Sequence, residues 1–141
     1  MFVGKSKQSV GRDGRMHIPS KMRDIIRAKY DEEDMYVVMM PGNTICIYPG
    51  KEFTKVIDRL ENPQEASITD TLCIERICAE AEPCKLDRYG RITVPSMMLE
   101  KAGIKYDILV IGALTHIEIW DPAYWQYSAH ATCKTRTWSI T

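Results

Sequence analysis

The amino-acid sequence predicts a β-rich α+β protein built from two related halves with flanking helices. Residues 14–19 (GRMHIP) return as residues 90–95 (GRITVP), and residues 45–49 (ICIYP) correspond to residues 117–121 (IEIWD). The distance between the second pair of matching segments is four residues shorter than the distance between the first pair. Four residues are about one helical turn. We therefore place the deletion in the helix that follows each proline. Two diverged copies of one unit of roughly 50 residues therefore account for most of the chain.

The first copy reads as strand, glycine loop, strand and helix, followed by a hairpin and a second helix. Alternation over residues 2–10 predicts a strand with Lys5 and Lys7 on one side, and the turn of residues 11–14 supplies two glycines and an aspartate. Ser20 is the expected N-cap of a helix that reaches about Tyr30, on which Lys21, Arg23, Arg27 and Lys29 are expected to face outward. The remaining elements are strands at 35–40 and 44–48 and an amphipathic helix that opens at Pro49.

The second copy repeats this plan in a shorter form. Its strands are predicted at 84–87, 92–94, 108–111 and 115–120, with a helix from Ser96 to Ala102 that Gly103 ends, and a last short helix capped by Asp121 and Pro122. The predicted organisation is a first unit at 1–61, a linker helix at 62–82, a second unit at 83–127 and a flexible tail at 128–141. A unit of this size is marginal alone, so we expect the halves to fold against each other.

Charge is unevenly distributed although the formal net charge is zero. Residues 1–30 carry eight Lys or Arg against two Asp, residues 31–70 carry three against nine acidic residues, and residues 83–105 carry five against two. Both basic segments contain a repeated loop, which is a pattern typical of a surface that meets a phosphate backbone. The alternative is that these charges only solvate loops and helix faces. The first residues lead into Gly, Lys and Ser rather than into an apolar run, and no stretch approaches membrane-spanning length, which predicts a cytoplasmic protein without a membrane partner.

No catalytic, cofactor or metal motif is recognisable. The five cysteines are odd in number and scattered, and the group Cys73, Cys78 and Cys84 matches no zinc or iron–sulfur spacing. The three histidines stand outside any known catalytic set, and His17 and His116 are expected to be structural or phosphate contacts. We therefore predict no enzyme activity, no cofactor and no metal.

The opening residues 1–4 (MFVG), the two G-R-x-x-(I/V)-P loops and the closing residues 117–121 together resemble the MraZ family of bacterial transcriptional regulators. The resemblance covers about residues 1–127, and its motifs occur in order and at matched spacing. It implies two SpoVT/AbrB-like units that exchange hairpins about a pseudo-two-fold axis to form a β-barrel. It further implies a nucleoid-associated homo-oligomeric ring that binds short repeated boxes in double-stranded DNA upstream of division and cell-wall genes. The sequence departs from the family at Gly11, where the second copy keeps the usual aspartate as Asp87.

On this reading both loops reach one face and present arginines to DNA. Arg15 and Arg91 are the residues expected to contact guanine edges or phosphates, and the residues expected to position the backbone are Arg12, Arg88, Lys5, Lys7 and Lys21. In the alternative reading, Arg15 and Arg91 pair with carboxylates and pin the turns. Two further alternatives are an antitoxin-like DNA-binding protein of the same class and a structural oligomer without a nucleic-acid role.

Overall fold

The computed structural model describes residues 1–62 and 68–131. Its elements are β1 (Lys5–Ser9), β2 (Arg15–His17), α1 (Ser20–Lys29), β3 (Met35–Met40), β4 (Thr44–Pro49), α2 (Gly50–Glu61), α3 (Ile68–Glu80), β5 (Glu82–Cys84), β6 (Arg91–Thr93), α4 (Ser96–Lys101), β7 (Asp107–Gly112), β8 (Ile117–Trp120) and α5 (Pro122–Ala131). The predicted start of the linker helix, apart from Asn62, and residues 132–141 of the predicted tail lie outside the described residues. The predicted α+β class is confirmed, with a mostly antiparallel sheet and several helices.

The strands form two antiparallel sheets in which the two halves are interleaved. The larger sheet has the order β1-β7-β8-β4-β3-β5, and β2 pairs with β6 in a separate two-stranded ribbon. Each half thus contributes its first strand to the other half: β1 lies beside β7, and β5 lies beside β3. This exchange explains why neither half has a complete sheet of its own.

One pseudo-two-fold axis relates both sheets. In the ribbon, Met16 is opposite Ile92, its own counterpart in the repeat, and in the large sheet Cys46 is opposite Glu118, which is likewise its counterpart. A residue can face its own repeat mate only where the symmetry axis passes between the two strands. The axis therefore passes through the centre of the ribbon and the centre of the large sheet.

Apolar side chains cover both faces of the large sheet at its inner strands β7, β8, β4 and β3. Alternate residues of β3 and β4 divide between two clusters: Val37 and Ile45 lie in the main core with Met16 and Ile92, whereas Val38 and Cys46 pack with α2 and α3. On the second half, Leu109, Ile111 and Trp120 pack against Trp125 of α5. Burial on both faces is the reason that the sequence of β3 reads as a continuous apolar run. None of the helices within the described ranges is long and apolar enough to cross a membrane.

Two expectations about α1 were wrong. Pro19, not Ser20, is the N-cap residue of α1, and no side chain caps this helix, because Ser20 already occupies the first helical position. Arg23 was expected to face outward, but its side chain lies against Gly90 of the second loop and its Nε is buried without a hydrogen-bond partner. The second half has Leu99 at the equivalent position, where an apolar side chain is buried.

Candidate nucleic-acid interface

The ribbon of β2 and β6 carries both repeated arginines on one face. Its register is Arg15 opposite Thr93, Met16 opposite Ile92 and His17 opposite Arg91. Met16 and Ile92 are buried in the main core, so the residues on either side of them point outward. Arg15 and Arg91 are consequently diagonal neighbours on the outer face of the ribbon.

Each glycine loop is attached to the strand of the other half. The amide of Ile18 donates to the carbonyl of Gly90 (3.0 Å), and the amide of Val94 donates to the carbonyl of Gly14 (2.9 Å). Both glycines have positive φ, at 82° for Gly14 and 76° for Gly90, which is the conformation that glycine adopts at least cost. These reciprocal hydrogen bonds fix the two loops at opposite ends of the same ribbon.

The first loop holds Arg15 through Asp13. The backbone amide of Arg15 donates to Oδ1 of Asp13 (3.1 Å), and its Nε lies 3.2 Å from Oδ2 of the same carboxylate. Both side chains are about half exposed, at 52% and 57%, so this ion pair is screened and weakly stabilising. Asp13 supplies part of the carboxylate function that the loop lost by having Gly11 in place of an aspartate.

The second loop holds Arg91 more tightly, through Asp87 at the base of the loop. Oδ1 of Asp87 accepts hydrogen bonds from the amides of Tyr89 (2.8 Å) and Arg91 (2.9 Å), and Oδ2 pairs with Nε of Arg91 at 2.9 Å. The amide of Arg91, together with its guanidinium and the amide of Tyr89, lowers the pKa of Asp87. Asp87 thus bonds two nearby backbone amides, and both repeated arginines pair with carboxylates.

The cations predicted for backbone contacts lie on exposed surfaces around the ribbon. Arg12 and Arg88 are exposed in the two loops, Lys5 and Lys7 alternate along the exposed side of β1, and Lys21 is exposed in the first turn of α1. An open depression of about 470 Å³ is lined by Lys7 and His17 among others, which places β1 beside the ribbon. A second cavity, of about 350 Å³, is lined by both Arg15 and Arg91.

Three residues at this surface were missed from sequence. Thr93 shares the outer face of the ribbon, and Lys85 and Thr93 line the cavity with the two arginines. The alternation of β6 would have identified Thr93, because it is two residues from Arg91. Tyr89 is exposed at the tip of the second loop, with the guanidinium groups of Arg88 and Arg91 over its ring. The sequence signal that could have identified Tyr89 is its position between two arginines.

His116, which directly precedes β8 of the large sheet, belongs to a buried polar network. Its Nε2 lies 3.0 Å from Oε2 of Glu118, whose Oε1 accepts a hydrogen bond from Nε1 of Trp120 (2.8 Å). Together with Cys46, His116 and Glu118 form a group whose possible metal-ligating atoms all lie within 4.8 Å of one another, the one such group among the described side chains. Because the carboxylate oxygens already have protein partners, the network is explained as packing in the sheet, and the structural reading of His116 is favoured over phosphate contact.

The fold and the surface together define a class of protein: a tandem α+β chain whose halves exchange strands and present a basic two-stranded ribbon. The profile described as "MraZ protein, putative antitoxin-like" matches residues 77–134. Proteins named "Transcriptional regulator MraZ" are similar over most of the chain: 29% identity with that of Syntrophobacter fumaroxidans over 88% of this chain and 81% of the relative, and 29% with that of Lachnoclostridium phytofermentans over 92% and 88%. That of Shewanella violacea is 27% identical over 89% and 83%. The chain is therefore similar to MraZ proteins over most of its length.

Proposed function

We propose that this protein is a sequence-specific DNA-binding transcriptional regulator that reads duplex DNA with the ribbon of β2 and β6 and its two loops. The observation that supports this most is the placement of Arg15 and Arg91 on one outward face, around an axis that relates the two halves. A two-stranded antiparallel ribbon fits the major groove of B-DNA, and exposed arginines can there form paired hydrogen bonds to guanine or to phosphate.

The pairing of both arginines with carboxylates is compatible with this role. Asp13 and Asp87 contact Nε of their arginines and orient the side chains. Orienting a guanidinium before binding reduces the rotamer entropy that is lost when it contacts DNA. The competing interpretation is that these pairs only stabilise the turns, in which case replacing the arginines would change stability and leave DNA binding unchanged.

The proposal extends to the architecture around the ribbon. Units 1–61 and 83–127, joined through 62–82, would be SpoVT/AbrB-like and close into one barrel by exchanging hairpins. The strand exchange of β1 and β5 and the cross-half pairing of β2 with β6 support this. The chain would also assemble with copies of itself into a nucleoid-associated ring in the cytoplasm. A ring that presents many such ribbons to repeated boxes, such as those upstream of a division and cell-wall cluster, gains affinity through effective concentration.

A gel-shift titration against the promoter upstream of the protein's own gene tests the DNA-binding proposal. Wild type, Arg15→Ala, Arg91→Ala and the control Lys51→Ala would be compared at two salt concentrations; Lys51 is an exposed cation of α2, on the opposite layer. We expect salt-sensitive binding that each arginine substitution weakens by about ten-fold or more, while Lys51→Ala binds as wild type does. Equal binding by all four proteins would contradict the use of the ribbon, and no binding at low salt would leave the structural oligomer as the better reading.

A further inference from the structure

The two loops carry the same formal charge but arrange it differently. Residues 11–15 (GRDGR) and residues 87–91 (DRYGR) each contain two arginines and one aspartate. In the first loop the carboxylate of Asp13 lies next to the tip glycine, whereas in the second loop the aspartate stands at the base and Tyr89 occupies the position equivalent to Asp13. Any difference in how the loops bind an anion must therefore come from arrangement and not from net charge.

Tyr89 brings the two arginines of its loop together. The Cζ atoms of Arg88 and Arg91 lie 5.2 Å and 5.1 Å from the centroid of its ring, within the range of a cation–π contact. The ring itself is 58% exposed, so burial in the core does not account for it. Its amide is bonded to Asp87, which fixes the backbone beneath the ring. Arg12, in the first loop, has no aromatic neighbour at the equivalent place, because that residue is Asp13.

We propose that Tyr89 is a positioning residue of the DNA interface, whose ring holds Arg88 and Arg91 as one pre-oriented pair for neighbouring oxygens of the DNA backbone or a guanine edge. This inference rests on the proposed function. Arginine side chains lose considerable rotamer freedom on binding, and a ring that already confines two of them reduces that loss. The second loop then makes the stronger contact of the two, although the loops have equal charge.

The test compares DNA affinity for wild type, Tyr89→Ala, Tyr89→Phe and the control Tyr124→Ala by fluorescence anisotropy with a labelled promoter duplex over a series of salt concentrations. Tyr124 is an exposed tyrosine on α5, 53% exposed and stacked on Trp120, on the layer away from the ribbon. We expect Tyr89→Ala to weaken binding by about five- to thirty-fold, the affinity equivalent of two exposed cation–π contacts. The salt dependence should keep its slope, since no charge is removed. Tyr89→Phe and Tyr124→Ala should bind within about two-fold of wild type, because the ring and not the hydroxyl does the positioning.

A double-mutant cycle separates positioning from direct contact. In the Arg88→Ala/Arg91→Ala background, adding Tyr89→Ala should have no further effect, because the ring then has no arginine to hold. An undiminished loss in that background, or a loss in Tyr89→Phe as large as in Tyr89→Ala, would overturn the positioning role in favour of a direct contact by Tyr89. Wild-type affinity for Tyr89→Ala would overturn the inference and leave the proposed function standing, whereas absence of binding by wild type would contradict the proposed function itself.

Discussion

The pseudo-two-fold axis passes through two regions that have kept the repeat in different ways. At the ribbon, the backbone hydrogen bonds and the arginines are the same in both halves: Ile18 to Gly90 mirrors Val94 to Gly14, and Arg15 mirrors Arg91. On the outer face of the large sheet the backbone register is equally symmetric, but the side chains are not. There Cys46 of β4 is opposite Glu118 of β8.

The difference indicates which parts of the repeat are maintained by packing. In the sheet, different helices cover the two halves, so each strand carries the side chains that its own cover accepts: Tyr48 packs with Phe53 of α2, and Trp120 packs with Trp125 of α5. At the ribbon, the buried pair Met16 and Ile92 is only similar, while the outward arginines are identical. Neither arginine is part of the apolar core, so their repetition within one chain is the better indication of binding.

The largest effect on stability is expected from a substitution at Glu118, where the side chains of the large sheet differ between the two halves. Glu118→Ala leaves buried His116 and Trp120 without their shared acceptor, and we expect the free energy of unfolding to fall by about 3–5 kcal/mol. Cys46→Ala, at the symmetry-equivalent position, should cost only about 1 kcal/mol. Urea unfolding at matched protein concentration measures both. Equal losses would show that the polar network contributes nothing beyond packing.

A smaller effect is expected where the loop symmetry is imperfect, at the two glycines. A Cβ at Gly14 would collide with the backbone carbonyl of Val94, whereas a Cβ at Gly90 would meet the guanidinium of Arg23, a side chain that can move. Both substitutions also carry the cost of a positive φ, about 1–2 kcal/mol. We therefore expect Gly14→Ala to lower the free energy of unfolding by about 3 kcal/mol and Gly90→Ala by about 1–2 kcal/mol.

Thermal or urea unfolding of these two variants decides the comparison, with Gly103→Ala as the matched control. Gly103 also has positive φ, but no atom lies within 4 Å of its Cβ position, so it reports the backbone cost alone. If Gly90→Ala lowered the free energy of unfolding more than Gly14→Ala, the side chain of Arg23 would be held too rigidly to move away from the added Cβ.

The smallest effect concerns the two carboxylates that orient the arginines. Hydrogen bonds from the amide and guanidinium of Arg91 and from the amide of Tyr89 lower the pKa of Asp87 below its unfolded value. A lowered pKa means that the stabilisation is present above the unfolded pKa, near 3.9, and is lost as the pH falls through the folded pKa. Asp87→Asn should therefore flatten the acid limb of a plot of Tm against pH. Asp13→Asn should lower Tm at neutral pH less than Asp87→Asn does, because among the described residues Asp13 accepts from one amide, that of Arg15, whereas Asp87 accepts from two. The reverse order would contradict the tighter geometry of the second loop.

Much of the fold could be predicted from the internal repeat, because the repeat marks equivalent strands and loops. The boundaries of β3 were predicted at Met35 and Met40, and the stop at Gly103 is confirmed: it has a φ of 71°, and its amide donates to the carbonyl of Glu100. The exchange of β1 and β5 between the halves was predicted only from the family resemblance. Periodicity reports which face of a strand is buried and not which strand lies beside it.

The candidate site was predicted in its arginines but not in their surroundings. Arg15 and Arg91 could be selected because they repeat, whereas the role of Tyr89 depends on side-chain positions that only the folded loop defines. Arg23 was misplaced because its helical position looked solvent-facing, while the strand exchange brings the second loop over it. Glu118 was part of the recognised closing motif, but its bonds to His116 and Trp120 require the strand geometry of β8.

The central claim is that loops from both halves form one DNA-binding surface. Amide hydrogen exchange of the full chain, measured with and without the promoter duplex, tests it most directly because it reports both loops in one experiment. We expect DNA to slow exchange in residues 11–18 and 87–94 together, with no change in the acidic turn at 31–34 or in α2. Protection confined to one loop, or protection at the acidic turn with none at the ribbon, would contradict the claim.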